Sequence, residues 1–327
     1  MLRCVIILID VDYQFTMSLA LLDQCAGIQR FGPKCMHVNL KNSLRTCRFP
    51  VRSRVLGVVT ASISSISSEH VAMQAQFFWY DVMTTDTRSA AKFYGHVVGW
   101  GVQNADADGK EYSIFTVNGQ GVAGLMPIPA DARDQGATPA WMGYIAVDDV
   151  DAEVEKLKRE GGTLHKGPVT VPGIIRFAVV CDPQGAGFMI AKGLSHEAPP
   201  PLPFGTAGTV GWRELYAGEG QSAFDFYQRM FGWTKAGEHD MGAMGGVYQL
   251  FATGAEAAGG MMTKPAAIPR PYWGYYFNVP AADAAAERVK SAGGTVINGP
   301  HEVPGPMYII QCTDPLGAYF ALVAPKR

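Results

Sequence analysis

From residue 77 onward the chain is written in short blocks of apolar and polar positions. Phe77–Thr84 is dense in aromatic and β-branched side chains and predicts a strand. Asp86 is placed to cap the helix that follows. Its Ala90, Phe93, Tyr94, Val97 and Val98 fall at i, i+3, i+4, i+7 and i+8, one apolar stripe. Past Gly99, segments 100–105, 111–117 and 122–127 read as strands parted by Gly, Asn and Asp turns. A second round opens with a strand over 141–147 and a helix over 151–160 that stops at Gly161-Gly162. Strands over 163–169, 174–181 and 187–192 close it. Each round is βαβββ.

The pair of rounds is then repeated. Trp79, Phe93, Tyr94, Gly99 and Trp100 return 133 residues later as Trp212, Phe226, Tyr227, Gly232 and Trp233. Further on the offset is 132: Trp141, Tyr144 and Val147 return as Trp273, Tyr276 and Val279, and Asp182-Pro183 as Asp314-Pro315. Self-similarity at a fixed period sets architecture ahead of local propensity. It predicts an α+β chain of two tandem domains, 77–193 and 209–327, joined by a proline-rich, semi-rigid linker over 194–208.

Composition adds limits. With 48% hydrophobic and 17% charged residues, the 327-residue chain has an ordinary soluble globular make-up. No apolar run approaches the roughly 20 residues that span a bilayer. Lys and Arg exceed Asp and Glu by eight to four in residues 1–76, whereas the repeated body has 19 against 25. That acidic body argues against nucleic acid or anionic lipid as a partner. Residues 1–76 match neither repeat. They read as an N-terminal extension, disordered or translated from an upstream start, with a targeting peptide as the alternative. Cys4, Cys25, Cys35 and Cys47 lie there without CxxC spacing; Cys181 and Cys312 look like small buried hydrophobes. A reducing cytoplasm is the economical location.

Several motifs together resemble the vicinal oxygen chelate superfamily of glyoxalase, bleomycin-resistance and extradiol-dioxygenase proteins. They are Asp86 with Phe93-Tyr94 and Gly99-Trp100, the run from Val147 to Ala152 ahead of Gly161-Gly162, and Asp182-Pro183-Gln184-Gly185. The second copy keeps Phe226-Tyr227, Gly232-Trp233, Asp283, Gly293-Gly294 and Asp314-Pro315-Leu316-Gly317. The resemblance implies paired βαβββ units whose strands curl into a half-open cup. It also implies metal ligands (His, Glu or Gln) on the first, fifth and eighth strands. Here those positions hold Trp79, Met142 and Met189 in the first copy, and Trp212, Gly274 and Ala321 in the second. None suits a hard or borderline divalent ion, and methionine suits only Cu(I). No metal or other cofactor is therefore expected.

Strand alternation places Asp81 and Glu214 inside the cups beside Trp79 and Trp212, with Tyr144 and Tyr276 from the fifth strands. The seventh strands would add Arg176 and Tyr308 to the lining. The expected function is binding of a small organic molecule in aromatic-lined cups. If the chain is an enzyme, Asp81 or Glu214 would serve as general acid or base and Tyr144 or Tyr276 would stabilise an oxyanion. The plainer alternative has these carboxylates satisfied by a backbone amide or by Arg213. The family offers two further readings: a metal-dependent glyoxalase, lyase or isomerase, or an extradiol-type dioxygenase with unconventional ligands, and a drug-sequestering resistance protein. A tandem chain of this kind would be a monomer with its domains paired internally, or a homodimer.

Overall fold

The computed structural model describes residues 75–105, 110–195, 200–242 and 246–327; the N-terminal extension apart from its last two residues lies outside them. The first domain runs β1 (Phe77–Thr84), α1 (Thr87–Val97), β2 (Gly101–Asn104), β3 (Ser113–Val117) and β4 (Gln120–Pro127). After a short helix α2 (Ala130–Asp134) come β5 (Ala140–Ala146), α3 (Val150–Arg159), β6 (Thr163–Val171), β7 (Ile175–Cys181) and β8 (Gly187–Gly193). The second domain repeats the plan without the short helix. Its elements are β9 (Val210–Ala217), α4 (Gly220–Phe231), β10 (Thr234–Asp240), β11 (Val247–Ala252), β12 (Ala257–Thr263), β13 (Tyr272–Asn278), α5 (Ala282–Ser291), β14 (Thr295–Val303), β15 (Met307–Thr313) and β16 (Tyr319–Ala324).

Local chemistry explains the helix limits. The Asp86 carboxylate accepts from the Ser89 backbone N–H and caps α1, and Asp149 does the same for α3 through Asp151 and Ala152. Glu219 caps α4. Gly161, at φ 89°, carries the chain out of α3 in the left-handed conformation that glycine tolerates best. The predicted stripe on α1 is the buried one: Ala90, Phe93, Tyr94 and Val97 face the core.

Each domain forms one eight-stranded sheet, in the orders β2-β3-β4-β1-β5-β8-β7-β6 and β10-β11-β12-β9-β13-β16-β15-β14. The two βαβββ units of a domain meet where β1 pairs antiparallel with β5, and β9 with β13. Residues alternate faces along these strands. Phe77, Tyr80 and Val82 of β1 join Leu215, Ala217, Tyr275 and Phe277 in a single hydrophobic core built by both domains. Across it, Tyr80 and Tyr275 have ring centroids 5.0 Å apart, Phe77 and Trp273 5.2 Å, and Trp100 and Phe277 4.9 Å.

The repeated motif residues stitch this shared core together. Tyr94 Oη accepts from Trp141 Nε1 at 2.8 Å and donates to Asp314 Oδ2, across the domains, at 3.1 Å. The mirrored set has Tyr227 Oη accepting from Trp273 Nε1 at 2.9 Å and donating to Asp182 Oδ2 at 3.2 Å. Each aspartate also accepts two backbone N–H groups of its own turn, Gln184 and Ala186 or Leu316 and Ala318. Trp100 Nε1 donates to Gly208 O, and Trp233 Nε1 to Ala75 O. The domains pair within the chain through interlocked aromatic and carboxylate groups, leaving the other face of each sheet to form a cup.

Candidate functional site

In the first cup a carboxylate is built into the sheet. Asp81 on β1 is 2% exposed. Its Oδ1 accepts from Trp79 Nε1 at 2.9 Å and from Tyr112 Oη at 2.8 Å, and its Oδ2 from Tyr144 Oη at 2.6 Å. Register explains the grouping. Trp79 stands opposite Tyr144, Asp81 stands opposite Met142, and Tyr144 pairs with Met189 on β8. These side chains share one face, where Tyr144 and Met189 pack with Phe78, Trp79, Met83, Met142 and Phe177. A shift of register between Phe77 and Trp79 turns Phe78 into the cup as well.

The second cup repeats the design with a longer acid. Glu214 accepts from Tyr248 Oη at 2.9 Å on Oε1 and from Tyr276 Oη at 2.5 Å on Oε2. Trp212 Nε1 reaches Tyr248 Oη at 2.8 Å rather than the carboxylate. Gln311 on β15 donates to both Tyr276 Oη and Tyr216 Oη, at 3.0 and 2.7 Å.

Electrostatics follow from burial. Loss of solvent raises the Asp81 pKa, opposed by hydrogen bonds from Tyr144, Tyr112 and Trp79 that favour its charged form. Burial, followed by the charge of Asp81, holds Tyr144 well above the ordinary tyrosine range, so it stays a hydrogen-bond donor. Tyr276 is raised for the same reasons, with Glu214 as its carboxylate.

The structure therefore brings together Trp79, Asp81, Met142, Tyr144 and Met189 in one cup, and Trp212, Glu214 and Tyr276 in the other. The seventh-strand expectation falls one residue out of register. Ile175, Phe177 and Val179 line the first cup and Met307 and Ile309 the second. Arg176, on the alternate face, forms a two-point ion pair with Asp151 of α3 and donates to Thr170. Tyr308 likewise packs against the shared core. Arg213 does not pair with either cup carboxylate: it turns to the opposite face and donates to Tyr80 Oη at 2.8 Å.

Four site residues escaped the sequence reading: Tyr112, Tyr248, Gly124 and Gly260. A Tyr-x-x-Phe pair, Tyr112–Phe115 and Tyr248–Phe251, marks the tyrosines at an offset of 136, as Gly124 and Gly260 do for the glycines. Gly124 lies beside Asp81 on β4, and Gly260 beside Glu214 on β12. A Cβ at 124 would overlap Tyr112 Oη and Asp81 Oδ1, and one at 260 would overlap the Tyr248 ring. Gly124→Ala is thus expected to cost about 1–3 kcal/mol through overpacking and to break the Tyr112–Asp81 bond. Urea unfolding and tyrosine difference absorbance check this, and an unchanged midpoint would refute it.

The donor chemistry does not fit the divalent ion that the fold implies. The three strand positions supply an indole and two thioethers in the first domain, and an indole, a glycine and an alanine in the second. Asp81 is already engaged by three donors. Among the described residues no group of three or more His, Cys, Asp or Glu side chains stands together.

Comparison with known proteins agrees with this architecture. The model of the Glyoxalase/Bleomycin resistance protein/Dioxygenase superfamily matches residues 70–190 and 209–322, one copy per domain. A Mycobacterium bovis protein provisionally named glyoxylase CFP32 is 34% identical over 249 residues, covering 76% of this chain and 94% of that protein. The anthracycline biosynthesis protein DauV of Streptomyces sp. is 30% identical over 257 residues, covering 75% and 91%. Among solved structures, the Mn(II)-bound glyoxalase of Novosphingobium aromaticivorans superposes with a TM-score of 0.55 at 16% identity, over 77% of this chain and 83% of that one, a likeness of fold. Two matched domains, two cups of the expected topology and relatives covered almost end to end lead to one conclusion: the chain belongs to the Glyoxalase/Bleomycin resistance protein/Dioxygenase superfamily, in its tandem two-domain form.

Proposed function

We propose that this protein binds a small, largely apolar organic molecule in an aromatic-lined cup, and that it does so without the divalent metal used elsewhere in the superfamily. The observation that carries this reading is the buried Asp81 carboxylate, fixed by Trp79, Tyr112 and Tyr144 on the face lined by Met83, Met142 and Met189. An apolar pocket with one or two placed polar groups is the usual make-up of a small-molecule site. Asp81 would orient the ligand by accepting a hydrogen bond from it. Should the bound molecule carry an acidic C–H or O–H, the same carboxylate is placed to take the proton, with Tyr144 as the donor that steadies the resulting anion. The relative named for anthracycline biosynthesis supports a fused-ring aromatic ligand, since thioethers and indoles pack well against flat rings.

The test is equilibrium binding of a series of planar phenols to the full chain, followed by tryptophan quenching, before and after exhaustive chelation. Binding is expected to survive chelation unchanged and to weaken at least about tenfold, roughly 1.4 kcal/mol, in Trp79→Ala. Loss of binding on chelation with recovery on adding Zn, Ni, Mn or Fe would overturn the metal-independent reading. An unchanged response in both Trp79→Ala and Trp212→Ala would overturn the pocket.

A further inference from the structure

Resting on the small-molecule reading above, we infer that only the first cup takes a guest, and that its guest is a planar phenol, because the second cup is filled at the same place by a phenol of its own, the side chain of Tyr319. The two cups are alike around their carboxylates and unlike beside them. On β1, Met83 stands opposite Ala140, whereas the matching residues of β9 and β13 are Tyr216 and Tyr272. At the start of β8 the first domain has Gly187, and the second has Tyr319 at the start of β16.

These differences compensate one another. A Cβ on Gly274 would lie 3.0 Å from the Tyr319 ring, so the absence of a side chain on β13 makes room for that ring. Its counterpart Met142 instead extends Cε to 3.5 Å from where a Cβ of Gly187 would stand. The same space between fifth and eighth strands is crossed by a thioether in one domain and by an aromatic ring in the other.

The two fillings differ in how easily they move. Methionine has an unbranched, three-torsion side chain that repacks at low cost. Tyr319 is clamped: its ring meets Tyr272 edge-on at 5.1 Å, and Tyr272 stacks on Tyr216 at 4.9 Å and 16°. Gln311 then ties Tyr216 to Tyr276. A flat ring entering the first cup has only to displace the end of Met142. In the second it would have to break a cluster of three packed rings. Asp81 also keeps acceptor capacity on Oδ2, which takes one hydrogen bond where Oδ1 takes two, so a guest hydroxyl has a partner.

The test exchanges the fillings. Isothermal titration of the full chain with 1,4-dihydroxyanthraquinone is expected to give one site per chain. Met142→Gly with Gly187→Tyr should abolish that site. Gly274→Met with Tyr319→Gly should create another, giving two per chain, and this gain cannot arise from misfolding. Far-UV circular dichroism and melting curves accompany each variant. Two sites in the unaltered chain, or one site that survives the first exchange and disappears in the second, would overturn this assignment while leaving the binding function standing. No saturable binding in any form would overturn the binding function itself.

Discussion

Trp233→Ala is expected to destabilise the protein by about 3–5 kcal/mol and to loosen both domains at once. Trp233 is 1% exposed and stacks on Phe251 at 4.5 Å and 7°, and on Tyr227 at 5.1 Å and 11°. It also reaches into the first domain, with its ring 5.8 Å from Phe77 and its Nε1 donating to Ala75 O at 2.7 Å. Removing the indole leaves a cavity at the junction of the two sheets and takes the donor from the part-buried Ala75 carbonyl. Because both domains build one core, denaturant unfolding should remain a single transition at a lower midpoint. Near-ultraviolet circular dichroism and tryptophan fluorescence should report the same midpoint. A second transition, or a shift confined to the second domain, would show that the halves fold independently. Phe204→Ala, at a side chain 91% exposed, provides the contrast and should change stability by no more than about 0.5 kcal/mol.

The second large effect falls on Asp81. Asp81→Ala leaves Tyr112 Oη, Tyr144 Oη and Trp79 Nε1 without their shared acceptor, at a cost of about 1–3 kcal/mol, and should abolish binding in the first cup. Asp81→Asn keeps the shape and removes the charge, so it separates the two consequences. Burial raises the folded-state pKa of Asp81 above its ordinary value of 3.8. The folded chain thus holds this proton more tightly than the unfolded chain does. The stability from that difference is fully present below the unfolded pKa and is lost as pH rises through the folded one. Relative to Asp81→Asn, the unaltered protein should therefore lose stability between about pH 4 and its raised pKa, and then level off. Paired urea midpoints across that range give the answer; a gap moving in favour of the unaltered protein as pH rises would mean that the three hydrogen bonds outweigh burial.

How much of this was legible in the sequence follows from what each residue does. Strand and helix limits were readable because periodicity is a local property: Phe77–Thr84 and the stripe of α1 stand where the pattern placed them. Tyr94 and Asp182 repeat at fixed offsets because both copies make the same cross-domain bond, and they are among the residues that carried the family resemblance; Trp141 repeats with them because it donates to Tyr94. The cup was only half readable. Asp81, Glu214, Tyr144 and Tyr276 lie on central strands, where alternation holds. Tyr112 precedes β3, beyond a stretch of sequence whose length differs between the copies, so the shared offset no longer marks it. Gly124 has no side chain to attract notice, and its importance appears only when a Cβ is set against Asp81 and Tyr112. Arg176 and Tyr308 lie one residue out of register with the cup, and in a strand one residue moves a side chain to the opposite face.

The shared core has an evolutionary consequence. In a symmetric dimer of single domains every substitution appears twice, so a tyrosine that fills one cup fills both. Here the partners are successive stretches of one chain, held together by Tyr94 with Asp314 and Tyr227 with Asp182. Each half can accept changes that the other does not share. The exchange of Met142 and Gly187 for Gly274 and Tyr319 is such a change, open to a duplicated chain and closed to a self-paired one.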